Sequence, residues 1–347
     1  MPVRNFEPLN LSTDRASTRT FLHETIPVTG TIIGSGTYSD NNIKNYTHGM
    51  FQSVYDYPYL SSSANHIFDI AVCYDEGSSF SGSSSTQNSK KINMYNQLSQ
   101  LLLGFTGSQN RVRLFENDLT LDQTGSMYSM FALTFSRLLL KDQIKKGSFQ
   151  ITLGTGNWAT AFSSTVTLTD ASASVNDAGV NNTLGGDYGV LYKSDNTKWG
   201  VVFYQAGIVC LTSSLFDGLS AGQFESGSWL STGRTVEQSM ISSSISGACD
   251  AFRHRINNIQ FNNTTEINST IYFCRVPHNK FNYSANPTYT SGSKIVVKDI
   301  ASDNPISYIT TVGLYSAANE LLAVAKLSEP LKKTVDNELT IRVRLDY

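Results

Sequence analysis

The chain has 347 residues, a formal net charge of −2 and a charged fraction of only 16%. The near balance of 26 basic and 28 acidic residues excludes a protein that binds nucleic acid through a globally basic surface, and 40% hydrophobic residues is too high for a disordered chain. Uncharged polar residues take the place of charged ones, and serine alone accounts for 45 residues. Because uncharged surfaces repel one another weakly, this composition indicates a protein whose surface is covered by other subunits.

The N-terminal segment, residues 1–60, is predicted to be an extended arm followed by an aromatic stretch. Prolines break regular structure in the first 30 residues, and no apolar period is present there. We expect this arm, residues 1–30, to lie on another subunit, so that deletion of residues 1–30 impairs assembly more than folding. The aromatic residues alternate, which predicts that they share one side of an extended segment; they are Phe51, Tyr55, Tyr57 and Tyr59. Buried core, a contact with a partner subunit and a sugar-stacking platform remain open for them.

Residues 61–130 are predicted to be a mixed α/β segment. The apolar run over 65–76 is typical of a strand, and the Ser-rich stretch 78–89 that follows is typical of a loop. Apolar residues then recur every three or four positions, which predicts a helix near 90–103 with Ser89 as its N-cap.

Residues 131–347 are predicted to be a β-rich domain. Alternation over 131–135 indicates a strand with one buried face, and 199–211 is interpreted as the second strand of a hairpin that begins at 188. One helix is predicted near 235–254. The last three strands, near 308–315, 320–327 and 338–346, are predicted to form a meander. The chain as a whole is therefore predicted to be mainly β with a few helices, an α+β protein: antiparallel sheets in a β-sandwich-like core, two helices and the extended arm.

Two arginine pairs have a structural and a functional interpretation. Arg253 and Arg255 lie where the predicted helix ends, and cations are favourable at a helix C-terminus. Arg342 and Arg344 alternate along the last strand, so they point to the same side. That side is either a solvated strand edge that discourages self-pairing or part of an ion pair between subunits.

No catalytic or metal-binding motif is present in the sequence. The five histidines include no pair at i, i+4, and the glycine-rich stretches lack the spacing of a nucleotide-binding loop. We expect no cofactor and no metal, and the four cysteines, Cys73, Cys210, Cys249 and Cys274, are expected to be reduced and buried. A hydrolase with two carboxylates in a cleft stays open, because 28 acidic residues always permit one. We also expect no membrane insertion, because the N-terminus lacks a signal-like apolar segment and the apolar runs are short.

Several segments resemble virion structural proteins of marine contractile-tailed bacteriophages, the cyanophage-like myophages. They are 45–59, 203–209, 273–287 and the pair 308–315 and 320–326, which reads Ile-Thr-Thr-Val-Gly-Leu-Tyr, a short turn, then Leu-Leu-Ala-Val. The resemblance implies a non-enzymatic tail or baseplate subunit, made in the host cytoplasm and located in the virion. Its partners would be other tail or baseplate subunits, in a homo- or hetero-oligomer, without direct contact to nucleic acid. A neck, collar or capsid-associated position and a receptor- or carbohydrate-binding tail module are the alternatives.

Overall fold

The computed structural model describes residues 6–26, 40–78, 85–105, 112–115, 127–173, 180–220, 223–224, 236–284, 290–291, 294–295, 300 and 302–347. The chain folds into two compact units. The large unit takes residues 22–265, and the small unit takes residues 1–21 together with 266–347. The division of the chain at 60 and 130 that the sequence suggests stays a prediction.

The structure is 46% strand and 17% helix, which confirms the mainly β, α+β fold class. The helices are α1 (Thr86–Leu102), α2 (Arg137–Leu140), α3 (Val236–Ser242) and α4 (Ile245–Arg253). The strands are β1 (Arg15–Ile26), β2 (Ile43–Asn45), β3 (Gln52–Tyr55), β4 (His66–Tyr74), β5 (Ser129–Phe135), β6 (Gln143–Ile144), β7 (Gln150–Gly154), β8 (Thr165–Thr169), β9 (Val180–Thr183), β10 (Gly186–Tyr192), β11 (Lys198–Phe203), β12 (Ile208–Thr212), β13 (Ile256–Val276), β14 (Thr290–Ser291), β15 (Lys294–Ile295), β16 (Ile306–Tyr315), β17 (Leu321–Thr334) and β18 (Leu339–Asp346).

The large unit is built on one antiparallel sheet with the strand order β13, β7, β8, β10, β11, β12, β5, β4, β3, β2. Both of its faces are covered. In β5, Phe131 packs on one face, where its ring stacks on Phe252 of α4 at 4.4 Å. Met130 and Ala132 point to the other face and pack in the same cluster as Tyr95 of α1. The prediction of a single buried face for this strand is therefore wrong, because α1 covers the second face.

Helix α1 confirms the predicted helix but begins four residues earlier than predicted. Its N-cap is Ser85, whose hydroxyl accepts a hydrogen bond from the Asn88 backbone N–H at 3.2 Å. Ser89 therefore lies inside the first turn. Of the predicted Ser-rich loop, residues 79–84 lie outside the described part of the chain.

The predicted helix over 235–254 is two helices. α3 ends at Ser242, and Ser244 caps the start of α4 by accepting a hydrogen bond from the Gly247 N–H at 3.1 Å. Helix α1 stabilises the break between α3 and α4, because the buried Lys91 ammonium of α1 donates to the carbonyls of Met240 and Ser243. A serine side chain that caps a new helix start competes with continuation of the old helix.

The predicted strand over 199–211 is also two strands, β11 and β12. They pair antiparallel, with Phe203 opposite Ile208, and the chain turns between them. Gly207 occupies this turn with φ of +66°, a backbone conformation that favours glycine.

The small unit has two β layers. In one layer β13 pairs antiparallel with β18, from Ser269 opposite Asp346 to Val276 opposite Leu339, and β1 is a further neighbour of β13. In the other layer β16 and β17 form a hairpin. The apolar side chains between the layers include Val276, Ile341 and Val343 at the centre, with Val312 and Leu327 packed against them.

This arrangement corrects the predicted C-terminal meander. β18 pairs with β13 and not with β17. The reason lies in the alternation of β18, whose inward residues Ile341 and Val343 are buried under the hairpin, so β18 and the hairpin belong to opposite layers.

The N-terminal arm is extended as predicted, but residues 6–21 lie on the arm's own chain within the small unit. Asp14 is buried, and its carbonyl accepts a hydrogen bond from the Phe273 N–H of β13 at 2.9 Å. The Asp14 carboxylate accepts from the Arg275 guanidinium at 2.7 Å. The expectation that this part of the arm lies on another subunit is therefore wrong.

Candidate functional site

The aromatic segment does not form one continuous side. β3 ends at Tyr55, and the chain then enters a turn that contains Pro58, where the Tyr59 N–H donates to the Asn41 carbonyl at 2.9 Å. Phe51 is half-buried at the other end of β3. Tyr57, with 59% of its surface exposed, is the most accessible of the four predicted aromatic residues.

The aromatic residues belong to two separate groups. In the first, the rings of Tyr46, His48 and Phe51 lie within 5.0 Å of one another, and Tyr46 and His48 are stacked at 10°. In the second, the Tyr55 ring lies 5.5 Å from that of His66 and 6.3 Å from that of Tyr59. Burial raises the pKa of Tyr55, and the neighbouring Tyr46 adds to this effect.

A polar cluster on β3 and β4 lies between these groups, and no motif in the sequence predicts it. The Ser53 hydroxyl donates to Asp69 Oδ1 at 2.5 Å, and His66 Nε2 lies 2.8 Å from the same oxygen. The Tyr46 hydroxyl lies 3.2 Å from Ser53 Oγ. In a Ser-His-Asp triad the histidine contacts the serine and takes its proton. Here serine and histidine both bind the carboxylate, so the hydrogen bonds organise the sheet surface and do not activate the serine.

Arg342 and Arg344 lie on one exposed face of β18, as the alternation predicted. The Arg344 guanidinium is engaged within the small unit: Nε lies 2.7 Å from Asp346 Oδ1, and Nη2 donates to Ser269 Oγ at 3.1 Å. The hydrogen bond from Ser269, followed by the one from Arg344, lowers the pKa of Asp346. Arg342 lies opposite Phe273 in the ladder.

A groove of about 540 Å³ opens in the small unit at the end of the β13–β18 ladder, between Phe273 and Thr340. Its charged lining residues have partners in the same unit, since Arg275 pairs with Asp14 and Glu338 lies 3.2 Å from the His278 ring nitrogen. The charged side chains of the groove are therefore already engaged within the small unit.

Among the described residues of the small unit, a group of neighbouring exposed apolar side chains lies on the β16–β17 hairpin. Leu321, Leu322 and Val324 are each more than half exposed, and Leu322 reaches 68%. They lie on the side of the hairpin away from the core that includes Val312 and Leu327. We call the exposed residues Leu321, Leu322 and Val324 the hairpin patch. The sequence predicted the strand near 320–327, but which of its faces stays uncovered depends on the layer that it packs against.

Comparison with protein-family models, with curated proteins and with solved structures finds no match to this chain. In the described part of the chain, no helix is long and apolar enough to cross a membrane. Among the same residues, no group of three or more histidine, cysteine, aspartate or glutamate side chains is arranged to hold a metal ion. Cys73, Cys210 and Cys249 are buried free thiols, whereas Cys274 is only half-buried.

Proposed function

We propose that this chain is a non-enzymatic structural subunit of a contractile phage tail, located in the baseplate, and that it acts through contacts with other virion subunits. The observation that carries the proposal is the hairpin patch. Three neighbouring apolar side chains of one β hairpin are each more than half exposed. Clustered exposed apolar residues are typical of protein interaction sites.

Two further observations support an assembly role. The low charged fraction of 16% leaves long stretches of surface without repulsion between subunits. The segments that resemble phage tail proteins include both strands of the hairpin, 308–315 and 320–326, so the resemblance and the patch coincide in the chain.

The test is a search for the chain in purified phage particles by mass spectrometry, with chemical cross-linking to identify its neighbours. Cross-links to baseplate subunits support the proposal, and cross-links to neck or capsid subunits would assign the chain to those positions instead. The variant Val324→Glu should fold and be lost from particles. Leu138→Glu is the matched control, because Leu138 is an isolated leucine that is 82% exposed. Absence of the unmodified chain from purified particles would contradict the proposal.

A second candidate is a receptor- or carbohydrate-binding tail module at Tyr57 and Tyr59. Both rings are exposed and follow β3 in the turn at residues 56–61, and exposed aromatic faces can stack on sugars. A glycan array with the intact chain and with Tyr57→Ala tests this role. Binding that the substitution removes would favour it, and an array without any signal would exclude it for the glycans tested.

A further inference from the structure

Strand β18 is regular, and its outer edge is open. Among the described strands it pairs with β13 alone, over eight consecutive residue pairs without a register shift. Asn268 and Tyr347 exchange both of their backbone hydrogen bonds, so in an antiparallel ladder the odd-numbered residues 339–345 also bond to β13. The backbone groups of the even-numbered residues 340–344 therefore point away from β13, and no described residue bonds to them. Unpaired backbone groups along a regular strand are suited to bind another strand.

The charges of this strand are complemented by the same strand in the opposite direction. Glu338 immediately precedes β18 and continues its alternation of exposed residues, which then includes Arg342 and Arg344. Negative charge therefore lies at the start of the strand and positive charge lies toward its end. A two-fold axis at Ile341 places Glu338 of each copy opposite Arg344 of the other and diagonal to Arg342. Opposite charges in such cross-strand positions are stabilising.

The ion pairs that these residues form within the small unit leave them available to a second copy. Glu338 is 68% exposed and pairs with the exposed His278, and Arg344 and Asp346 are each half exposed. Exposed ion pairs contribute little to stability, so they can be exchanged for pairs across the axis. Arg342 has no ion-pair partner in the described part of the small unit.

The inner face of β18 fits the same axis. Ile341 would lie opposite Ile341 of the second copy, and Leu339 would lie opposite Val343. Cross-strand pairs of apolar and β-branched side chains stabilise antiparallel strands. Leu339 is only half-buried within its own unit, so the pairing would remove more of its surface from water.

Neighbouring registers are less favourable. An axis at Arg342 sets this residue opposite itself and Glu338 opposite Asp346, and like charges in such positions are destabilising. An axis at Thr340 leaves only residues 339–341 of β18 paired. The sequence of β18 therefore complements itself in one register, and a second copy of this chain is the occupant that the charges favour.

We propose that β18 pairs antiparallel with β18 of a second copy of this chain about a two-fold axis at Ile341. The pairing joins the β13–β18 layers of the two copies into one sheet. It gives Arg342 and Arg344 a role in ion pairs between subunits, which is one of the two interpretations of their alternation. This inference deepens the proposed function, on which it rests for its biological setting, because it names one of the partners and the strand that binds it.

The experiment uses the full chain with charge substitutions on β18. Sedimentation equilibrium of the unmodified chain should approach twice the chain mass of 38.1 kDa as the concentration rises. Glu338→Lys places a lysine opposite an arginine of the second copy, and the double variant Arg342→Glu/Arg344→Glu surrounds Glu338 with carboxylates. Each of these variants alone should therefore be monomeric.

An equimolar mixture of the two variants should regain the dimer mass, because the mixed pair has opposite charges at all of these positions. High salt should weaken this mixed dimer. Recovery in the mixture also shows that both variants are folded. Lys332→Glu is the control, since it changes an exposed lysine of β17 and should leave the dimer of the otherwise unmodified chain intact.

Hydrogen exchange resolved by residue gives a second measurement that does not depend on any variant. Amides of Thr340, Arg342 and Arg344 should exchange fast at low concentration and become protected as the concentration rises. Amides of Ile341 and Val343, which bond to β13, should be protected throughout.

Four results would each overturn the inference: a chain that stays monomeric from micromolar to millimolar concentration, a dimer of Glu338→Lys alone, a mixture of the two charge variants that stays monomeric, or dissociation by Lys332→Glu. A monomer found in phage particles would overturn this inference alone, whereas a dimer absent from particles would overturn only the proposed function.

Discussion

At the scale of single residues, the large unit buries charges by surrounding them with backbone groups. Arg255 is completely buried, and its guanidinium donates to the carbonyls of Gly154 at 3.0 Å, Gly156 at 2.8 Å and Gln223 at 2.6 Å. The Phe224 ring lies 4.9 Å away. Burial lowers the pKa of Arg255 to about 10. Arg255 therefore connects separate loops through hydrogen bonds to their carbonyls. Its position in the sequence predicted only a favourable cation at the C-terminus of a helix.

Arg255→Met should destabilise the large unit by about 3 kcal/mol, because the substitution leaves several buried carbonyls without a donor. Urea unfolding followed by tryptophan fluorescence measures the loss. Arg137→Met is the matched control: Arg137 is exposed and donates to the Gln205 carbonyl, so its loss should stay within about 0.5 kcal/mol. Equal effects of the two substitutions would show that Arg255 does not fasten the loops.

Asp170 should make the large unit more stable at mildly acidic pH. Its carboxylate accepts hydrogen bonds from the Gly147 and Phe149 N–H groups and from the Tyr204 hydroxyl. Burial nevertheless raises its pKa from 3.8 to about 6, with the hydrogen bonds acting in the opposite direction. Because the folded pKa lies above the unfolded one, the stabilisation is fully present below pH 3.8 and is lost as the pH rises through about 6.

The measurement is the free energy of unfolding at several pH values between 5 and 7.5, for the unmodified chain and for Asp170→Asn. The unmodified chain should lose about 1.4 kcal/mol more than the variant across this range, because about one pH unit of the titration, worth about 1.4 kcal/mol, lies between pH 5 and the folded pKa of about 6. Asp195, whose pKa is lowered to about 2 by its hydrogen bonds to Thr197, does not titrate in this range. Parallel pH profiles for the two proteins would rule out this role of Asp170.

At the scale of elements, the sequence predicted what depends on local pattern and missed what depends on distant contacts. The apolar run over 65–76 located β4, the period of two over 131–135 located β5, and the period of three to four located α1. The pairing of β18 with β13 escaped prediction, because it joins strands far apart in the chain. The same-side position of Arg342 and Arg344 followed from alternation alone, whereas the polar cluster of Ser53 and Asp69 requires the register between two strands.

The break between α3 and α4 gives a test at this scale. Ser244→Ala removes the hydroxyl that accepts the Gly247 N–H, so it should destabilise the large unit by about 1 kcal/mol. Ser242→Ala changes an exposed serine at the end of α3 and should have an effect within about 0.5 kcal/mol. Thermal unfolding monitored by circular dichroism compares the two. A larger loss for Ser242→Ala would mean that the break is not fixed by the Ser244 cap.

At the scale of the whole molecule, the contacts of the N-terminal arm indicate a role in folding, where its composition predicted a role in assembly. Composition predicted an arm that becomes ordered on another subunit. In the small unit, the Asp14 carboxylate accepts hydrogen bonds from the Asn10 N–H and from Arg275, and these interactions lower its pKa, the Asn10 bond most of all. Glu7 lies within hydrogen-bond distance of Lys280. Residues 6–21 therefore contribute to the fold of the small unit.

Deletion of residues 1–21 should consequently loosen the small unit and leave the sheet of the large unit intact. The deletion removes β1 residues beside β13, the buried Asp14 and the carbonyl that accepts the Phe273 N–H. Hydrogen exchange should show faster exchange of amides in 266–276 and 339–346 and unchanged protection of β4 and β5. Deletion of residues 1–5 is the control, because it keeps every arm contact named above. If the longer deletion leaves exchange in 266–276 unaltered but prevents incorporation into phage particles, the arm serves assembly after all, as its composition predicted.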